Sequence, residues 1–205
     1  WDAFGLNYTS GTGGRPKGVV ISHRGAYLMA MGTVPAWNVP MHPIYLYTVP
    51  LFHCNGWGHA WMNALVAGTI ICLKKIEAAT IFDAISKYRV THFGGAPVVL
   101  SLLVNAPSEH KKQFDHPVHV MTAGAPPPPA ILEQTEQLGL EVMQVYGLTE
   151  TYGHIMHCAW NTSGEAFGFS ERAEVIARGG ERFTHTEAVE VVDLERGDPV
   201  PWDGR

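Results

Sequence analysis

The chain has 205 residues, 46% hydrophobic and 16% charged, the profile of a globular protein with a sizeable core, which excludes a disordered or fibrous chain. A formal net charge of -5, without any Lys/Arg run, argues against nucleic acid or an anionic membrane surface as partner. Three cysteines, Cys54, Cys72 and Cys158, are odd in number and unpatterned in spacing, so no disulfide framework is expected and a reducing cytoplasm fits best.

The N-terminal residues FGLNYTS read as a short strand feeding the segment Tyr8 to Gly18, YTSGTGGRPKG. That segment has the composition of a phosphate loop. Thr9, Ser10 and Thr12 offer hydroxyls, Gly11, Gly13 and Gly14 free the backbone to turn its N–H groups inward, and Lys17 adds a mobile positive charge. Its bland reading is a Gly-rich hairpin turn with a solvated lysine. The pattern GxxxxGK[ST] is absent, which argues against an ordinary P-loop NTPase.

Val19 to Ile21 reads as the next strand, after which Ser22 caps a helix, HRGAYLMAMGTV, with Leu28 and Met31 expected on its apolar face. A loop containing Pro35, Pro40 and Pro43 leads to a buried strand, IYLYTVP. The apolar stretch Gly56 to Leu73 is interrupted by His59, Asn63, Gly68 and Thr69, so it reads as a buried helix, a turn at Gly68 and a buried strand TIICL, with no membrane span. Helices follow at Ala78 to Tyr88, Pro97 to Asn105 and Pro129 to Leu138, interleaved with strands at Val90 to Phe93, Val118 to Ala123 and Glu141 to Tyr146. This alternation predicts an α/β fold, a sheet layered with helices. Beyond Cys158 the pattern weakens, and AVEVVDLE is the one strand expected near the end. The chain opens at Trp1 within a continuous pattern, stops at PWDGR and carries no signal peptide or lipidation motif, so it reads as cut from a longer protein.

A second motif, VYGLTETYG, stands at the end of a predicted strand, where α/β proteins place ligand loops. Tyr146 offers a flat ring, Thr149 a hydroxyl and Glu150 a hard oxygen of the kind Mg²⁺ accepts beside phosphates. Taken alone, it could equally be a helix cap. Upstream, Gly124, Ala125 and Pro126 are small residues that let a flat ring approach the backbone, or simply a strand-to-helix turn. In PLFHCNGWGHAW, His53 is either a satisfied core histidine or a pocket group, and Cys54 beside it lacks an evident orienting carboxylate, so a structural role fits it better. His154, His157 and Cys158 have ligand-type side chains, and the histidines would share one face of a helix. No second Cys/His cluster supports a metal there, and a place flanking a pocket fits better.

The loop and YGLTE together resemble the signatures of the adenylate-forming ANL superfamily, which includes acyl-CoA synthetases, luciferases and peptide-synthetase adenylation domains. The family carries a second threonine where Gly13 stands here, so one hydroxyl fewer meets the pyrophosphate. Order and spacing of the motifs resemble acyl-CoA synthetases of short or medium carboxylic acids, close to 3-methylmercaptopropionyl-CoA ligases. The resemblance implies ATP, Mg²⁺ and coenzyme A, with a small carboxylic acid as substrate, and it leaves homo-oligomerisation open. It implies that Thr9, Ser10, Gly11, Thr12, Gly14 and Lys17 hold phosphates, with Lys17, Thr149 and Glu150 serving the chemistry. It places adenine on Gly124, Ala125, Pro126, Tyr146 and Gly147, magnesium on Glu150, and the acyl chain against His53, Trp57, the Gly94 to Pro97 turn through Gly95, and Tyr152. The whole chain, 1 to 205, would then be part of an AMP-binding domain. The family's mobile C-terminal domain and its ribose-binding aspartate would lie outside it, so the segment alone is expected not to turn over. Another acceptor than CoA, or a nucleotide-binding module without catalysis, remain alternatives.

Overall fold

The computed structural model describes residues 1–9, 15–158, 168–177 and 180–201. Two strands, β1 (Ala3–Thr9) and β2 (Lys17–Ser22), form an antiparallel hairpin in which Thr9 lies opposite Lys17. Among the described residues a second sheet has the strand order β4-β3-β5-β6-β7-β8-β9. The strands are β3 (Ile44–Tyr47), β4 (Thr69–Cys72), β5 (His92–Gly94), β6 (Val118–Thr122), β7 (Leu140–Leu148), β8 (Gly153–His157) and β9 (Glu181–Arg182). Strands β4, β3, β5, β6 and β7 run parallel, and β8 and β9 add antiparallel.

Strand alternation sends successive side chains to opposite faces, each covered by helices. On one face Leu46, Phe93, Val118, Val120 and Val142 pack with α4 (Ala78–Tyr88), α5 (Pro97–Val104), α6 (Pro129–Gln137) and α7 (Phe169–Ile176), through Ile81, Phe82, Leu100, Leu132 and Ile176. On the other, Tyr45, Tyr47, Met121 and Val145 pack with Ala30 of α1 (His23–Ala36), Met62 of α3 (His59–Leu65) and Phe183, which follows β9. Burial of this kind is worth about 1.5 to 3 kcal/mol per large aliphatic or aromatic side chain. The predicted α/β fold is therefore present, and α4 has the bounds read from the sequence.

Several expectations are corrected. Leu28 and Met31 are 39% and 45% exposed, whereas Ala26, Met29, Ala30, Gly32 and Thr33 form the buried face of α1. Small residues are needed there because the helix lies close to its neighbours: a Cβ on Gly32 would stand 2.0 Å from His185 Nδ1. Pro35 lies inside the last turn of α1, where its fixed φ is helical, rather than in the following loop. Strand β4 is an edge strand with Cys72 exposed, not a buried strand. AVEVVDLE forms only an isolated bridge, Val192 to Pro199, with Val191 and Leu194 exposed, and among the described residues no strand pairs with it. His154 and His157 stand on strand β8 instead of a helix. A register irregularity between Tyr146 and Gly147 leaves Ile155 as an extra residue, so both histidines pack on Phe183 with ring centroids at 4.5 Å. Among the described residues no helix is long and apolar enough to cross a membrane.

Candidate functional site

A cleft of about 400 Å³ opens at the carboxyl ends of the parallel strands, where open α/β sheets bind ligands. Strand β1 gives it Tyr8 and Thr9, and the end of β6 gives Ala123 and Gly124. Val145, Gly147 and Leu148 of β7, then Thr149 and Glu150 of the following turn, form a second side with Gly153 and His154. His53, Cys54 and Trp57 form the side between them.

Cys54 and Trp57 belong to α2 (Cys54–Trp57), a turn wound the unusual way, and His53 is its N-cap. Cys54, Asn55, Gly56, Trp57 and Gly58 all have positive φ, at 42°, 48°, 63°, 57° and 69°. For a non-glycine residue this left-handed backbone costs about 1 to 2 kcal/mol, least for asparagine. The turn is held against that cost from within and from outside. Gly56 N–H donates to His53 O at 2.8 Å, and the Tyr47 hydroxyl donates to Gly56 O at 3.2 Å. Side chains are excluded where the packing is closest. A Cβ would stand 2.8 Å from the Tyr47 ring at Gly56 and 1.7 Å from Met29 Cε at Gly58. The winding turns Cys54 and Trp57 into the cleft while His53 stays exposed at its rim.

Beneath Trp57 lies a layer of buried histidines and aromatics. Gly94 N–H donates to the Tyr45 hydroxyl at 3.0 Å, and Tyr45 lies 2.5 Å from His59 Nδ1. Which of the two donates in that contact depends on the tautomer of His59. Burial, and then the neighbouring His92, push His59 from 6.5 down to about 3. Burial and His119 push His92 down to about 4. His154 is likewise held well below its ordinary value, by burial first and then by His59, His185 and His157. Its Nε2 meets Thr33 Oγ1 at 2.7 Å, and that hydroxyl donates to Met29 O. Tyr45 is raised well above its ordinary value by burial. This layer carries no net charge at neutral pH.

The other side of the cleft is polar and open. Thr9 Oγ1 is buried and has no hydrogen-bond partner. Lys17 is exposed opposite Thr9 in the hairpin. Thr149 Oγ1 lies 3.2 Å from Cys54 Sγ. Burial raises the Cys54 thiol above its ordinary value, the Thr149 bond opposes this, and the charge of Glu150 adds to it. Such a thiol is a poor nucleophile, in keeping with a structural role. Gly147 allows the close approach of β7 to β8, since a Cβ there would stand 1.9 Å from Gly153 O.

The structure thus gathers Thr9, Gly124, Gly147, Thr149, Glu150, His53 and Trp57 around one cavity. Ala125 and Pro126 are exposed just beyond Gly124, and Tyr146 is half exposed on β7, outside the cavity lining. Gly95 is buried behind the site against Val99, and Gly94 is the glycine that meets Trp57. Tyr152 is buried under α1 and accepts from Trp61 Nε1 at 2.7 Å. Ser10, Gly11, Thr12 and Gly14 lie outside the described residues. His154 lines the cleft, whereas Cys158 turns away and donates to Val175 O. Among the described residues no cluster of three His, Cys, Asp or Glu side chains could hold a metal by itself. Sequence reasoning missed the Cys54 to Thr149 contact and the left-handed turn, although Asn-Gly-Trp-Gly carries three residues that tolerate positive φ.

The model of the AMP-binding enzyme family matches residues 1–205. The chain belongs to this family. It is 47% identical over its whole length to the peroxisomal acetate/butyrate-CoA ligase AAE7 of Arabidopsis thaliana, covering 36% of that protein. It is 46% identical to the 2-methylpropanoate-CoA ligase CCL4 of Humulus lupulus, again over all of this chain and 36% of the relative. The chain therefore spans about a third of the length of these curated relatives. Among solved structures it is similar to o-succinylbenzoate coenzyme A synthetase of Bacillus subtilis in complex with ATP and magnesium ion. That match has 25% identity and a TM-score of 0.68, over 75% of this chain and 32% of the other. The same enzyme with its acyl-adenylate intermediate superposes over 96% of this chain and 37% of the other, with TM-score 0.78 and 22% identity, which shows the shared fold. In this AMP-binding chain, Thr9, the Thr149 and Glu150 turn and the residues His53, Cys54 and Trp57 line the same cleft.

Proposed function

We propose that the full-length protein carrying this chain activates a short- or medium-chain carboxylic acid with ATP and transfers the acyl group to coenzyme A. The observation that carries the reading is one cleft of about 400 Å³ lined both by polar Thr9, Thr149 and Glu150 and by apolar Trp57. The CoA ligases that share 46 to 47% identity with the chain support the choice of acid and acceptor class.

In the first step a carboxylate oxygen attacks the α-phosphorus of ATP, forming the mixed anhydride and releasing pyrophosphate. In the second the CoA sulfur attacks the acyl carbonyl, and AMP leaves with the electron pair. Charge gathers on phosphate oxygens in the first step, so donors that are already placed lower its barrier. Thr9 Oγ1, unpartnered in the protein, and the Thr149 hydroxyl are such donors, and Lys17 brings positive charge from the hairpin. Trp57 and the neutral histidine layer under it exclude water and leave the acid's chain an apolar wall. The donor set fits Mg²⁺, which is held by one or two carboxylates together with substrate phosphates. Glu150 would be the protein carboxylate, and the ion would neutralise charge on the leaving pyrophosphate.

Free Cys54, Cys72 and Cys158 suit a reducing compartment, for which we propose the cytoplasm. Self-association is to be read by light scattering of the full-length protein. The deciding experiment is ATP-pyrophosphate exchange by that protein with a panel of straight and branched acids, followed by thioester detection with CoA. Acid-dependent exchange and an acyl-CoA product are expected. Exchange without thioester would point to another acceptor, and ATP binding without exchange would overturn the catalytic reading.

A further inference from the structure

The left-handed turn touches both sides of the cleft. Asn55, its second residue, accepts a hydrogen bond through Oδ1 from Asn7 Nδ2 at 3.2 Å. Asn7 stands two residues before Thr9 on β1, and strand alternation puts both on one face. Gly5, two residues earlier again, would place a Cβ 3.8 Å from the same Oδ1. The face of β1 that presents the unpartnered Thr9 hydroxyl is therefore the face that Asn55 holds. On its other flank, Cys54 Sγ lies 3.2 Å from Thr149 Oγ1, and Trp57 of the same turn walls the cleft. Five consecutive residues of positive φ leave the turn few ways to yield at one position without moving the others.

We propose that Asn55 is a positioning residue that ties the acid-side wall to the strand leading into the phosphate segment, so that the seat of ATP and the shape of the acid pocket change together. The inference rests on the adenylating function proposed above. Asparagine suits the position twice: it accepts left-handed backbone better than other non-glycine residues, and its amide oxygen reaches across to β1. Neither Asn7 nor Asn55 is among the residues lining the cleft, so effects of changing them reach ATP and acid only through the residues they hold.

The test uses the full-length protein, wild type, Asn7→Ala, Asn55→Gly and the double variant. Glycine adopts the left-handed backbone freely, so Asn55→Gly removes the link and spares the turn. Pyrophosphate exchange gives KM for ATP and relative kcat/KM across straight-chain acids, and thermal unfolding is recorded alongside. Each single change is expected to raise KM for ATP and also to shift the acid-length preference, each by about threefold to tenfold, the size of one neutral hydrogen bond. The double variant is expected to be no worse than the more affected single one. Three results would overturn the inference alone: a lower melting temperature with both parameters unmoved, Asn7→Ala acting only on ATP while Asn55→Gly acts only on acids, or additive effects in the double variant. Absence of exchange by the wild-type protein with every acid would instead overturn the adenylating reading, and this inference with it.

Discussion

The two sides of the cleft are built on opposite physical plans. On the side we propose for the phosphates, Thr9, Lys17, Thr149 and Glu150 sit at strand ends and a turn and are partly or fully exposed, although Thr9 Oγ1 itself is buried. On the side we propose for the acid, Trp57 and the layer beneath it, Tyr45, His59 and His92, are buried, and burial holds the tyrosine and the two histidines neutral. The difference teaches where each property has to live. Groups that meet a polyanion keep their hydration until it arrives, whereas a wall that selects an acyl chain has to be dry and rigid. Changes on the first side should therefore cost activity without stability, and changes on the second should cost both.

The largest effect is expected for Trp57→Ala. Removing a buried tryptophan packed on Gly94 and edge-to-face with His59 costs about 3 to 5 kcal/mol, seen as a large fall in the denaturation midpoint. Trp57→Phe keeps most of the packing and is expected to move the preference toward longer or branched acids, each methylene being worth about 1 to 3 kcal/mol. A chain-length profile unmoved by Trp57→Phe would make Trp57 purely structural.

Next in size is acid titration. His59 and His92 have folded values of about 3 and about 4, below their ordinary 6.5. Between those values and 6.5 the unfolded chain binds more protons, so stability is complete above about pH 6.5 and falls as pH drops toward the folded values. At pH 5 the loss is about 2 kcal/mol for each of the two. Urea unfolding between pH 7 and 5 checks this, in a range above the carboxylates Asp83 and Asp115, whose values are lowered by their cationic partners. A flat profile would mean that the histidine layer is hydrated or charged, and the contrast between the two sides would fail.

Glu150→Gln keeps shape and removes charge on the exposed side. Adenylation is expected to slow by about 10- to 100-fold with a raised magnesium requirement, while the melting temperature stays put. A magnesium titration that overlays the wild type would reduce Glu150 to a turn residue. The smallest change in stability is expected for Lys17→Ala, within about 0.5 kcal/mol because the side chain is exposed. Its effect should appear in KM for ATP, and an unchanged KM and kcat would remove Lys17 from the site.

Much of this was legible along the chain because it is local. The period of Ala78–Tyr88 gave a helix with matching bounds, with an apolar stripe of Ile81, Phe82 and Ile85. Hydroxyls, glycines and a lysine in Tyr8 to Gly18, and YGLTE at a strand end, are local patterns that read as phosphate-binding once they are taken together. The face of α1 was not legible, since its buried residues are mostly small, Gly32 lying close to His185, and periodicity weighs size instead. Nor was the fate of AVEVVDLE, because an apolar alternation becomes a strand only where another strand offers hydrogen bonds.

By itself the sequence determined the layered α/β order of elements and the chemical kinds of group the cleft would contain. Only the tertiary structure decided that Cys54 meets Thr149 from 95 residues away, that Asn7 holds Asn55, that Gly94 rather than Gly95 faces Trp57, and that Tyr152 is buried under α1. It also decided that five successive residues wind left-handed, a conformation the residue types permit and the surrounding contacts of Tyr47, Met29 and β1 enforce. Contacts between distant segments depend on how whole elements pack, which local preference does not encode.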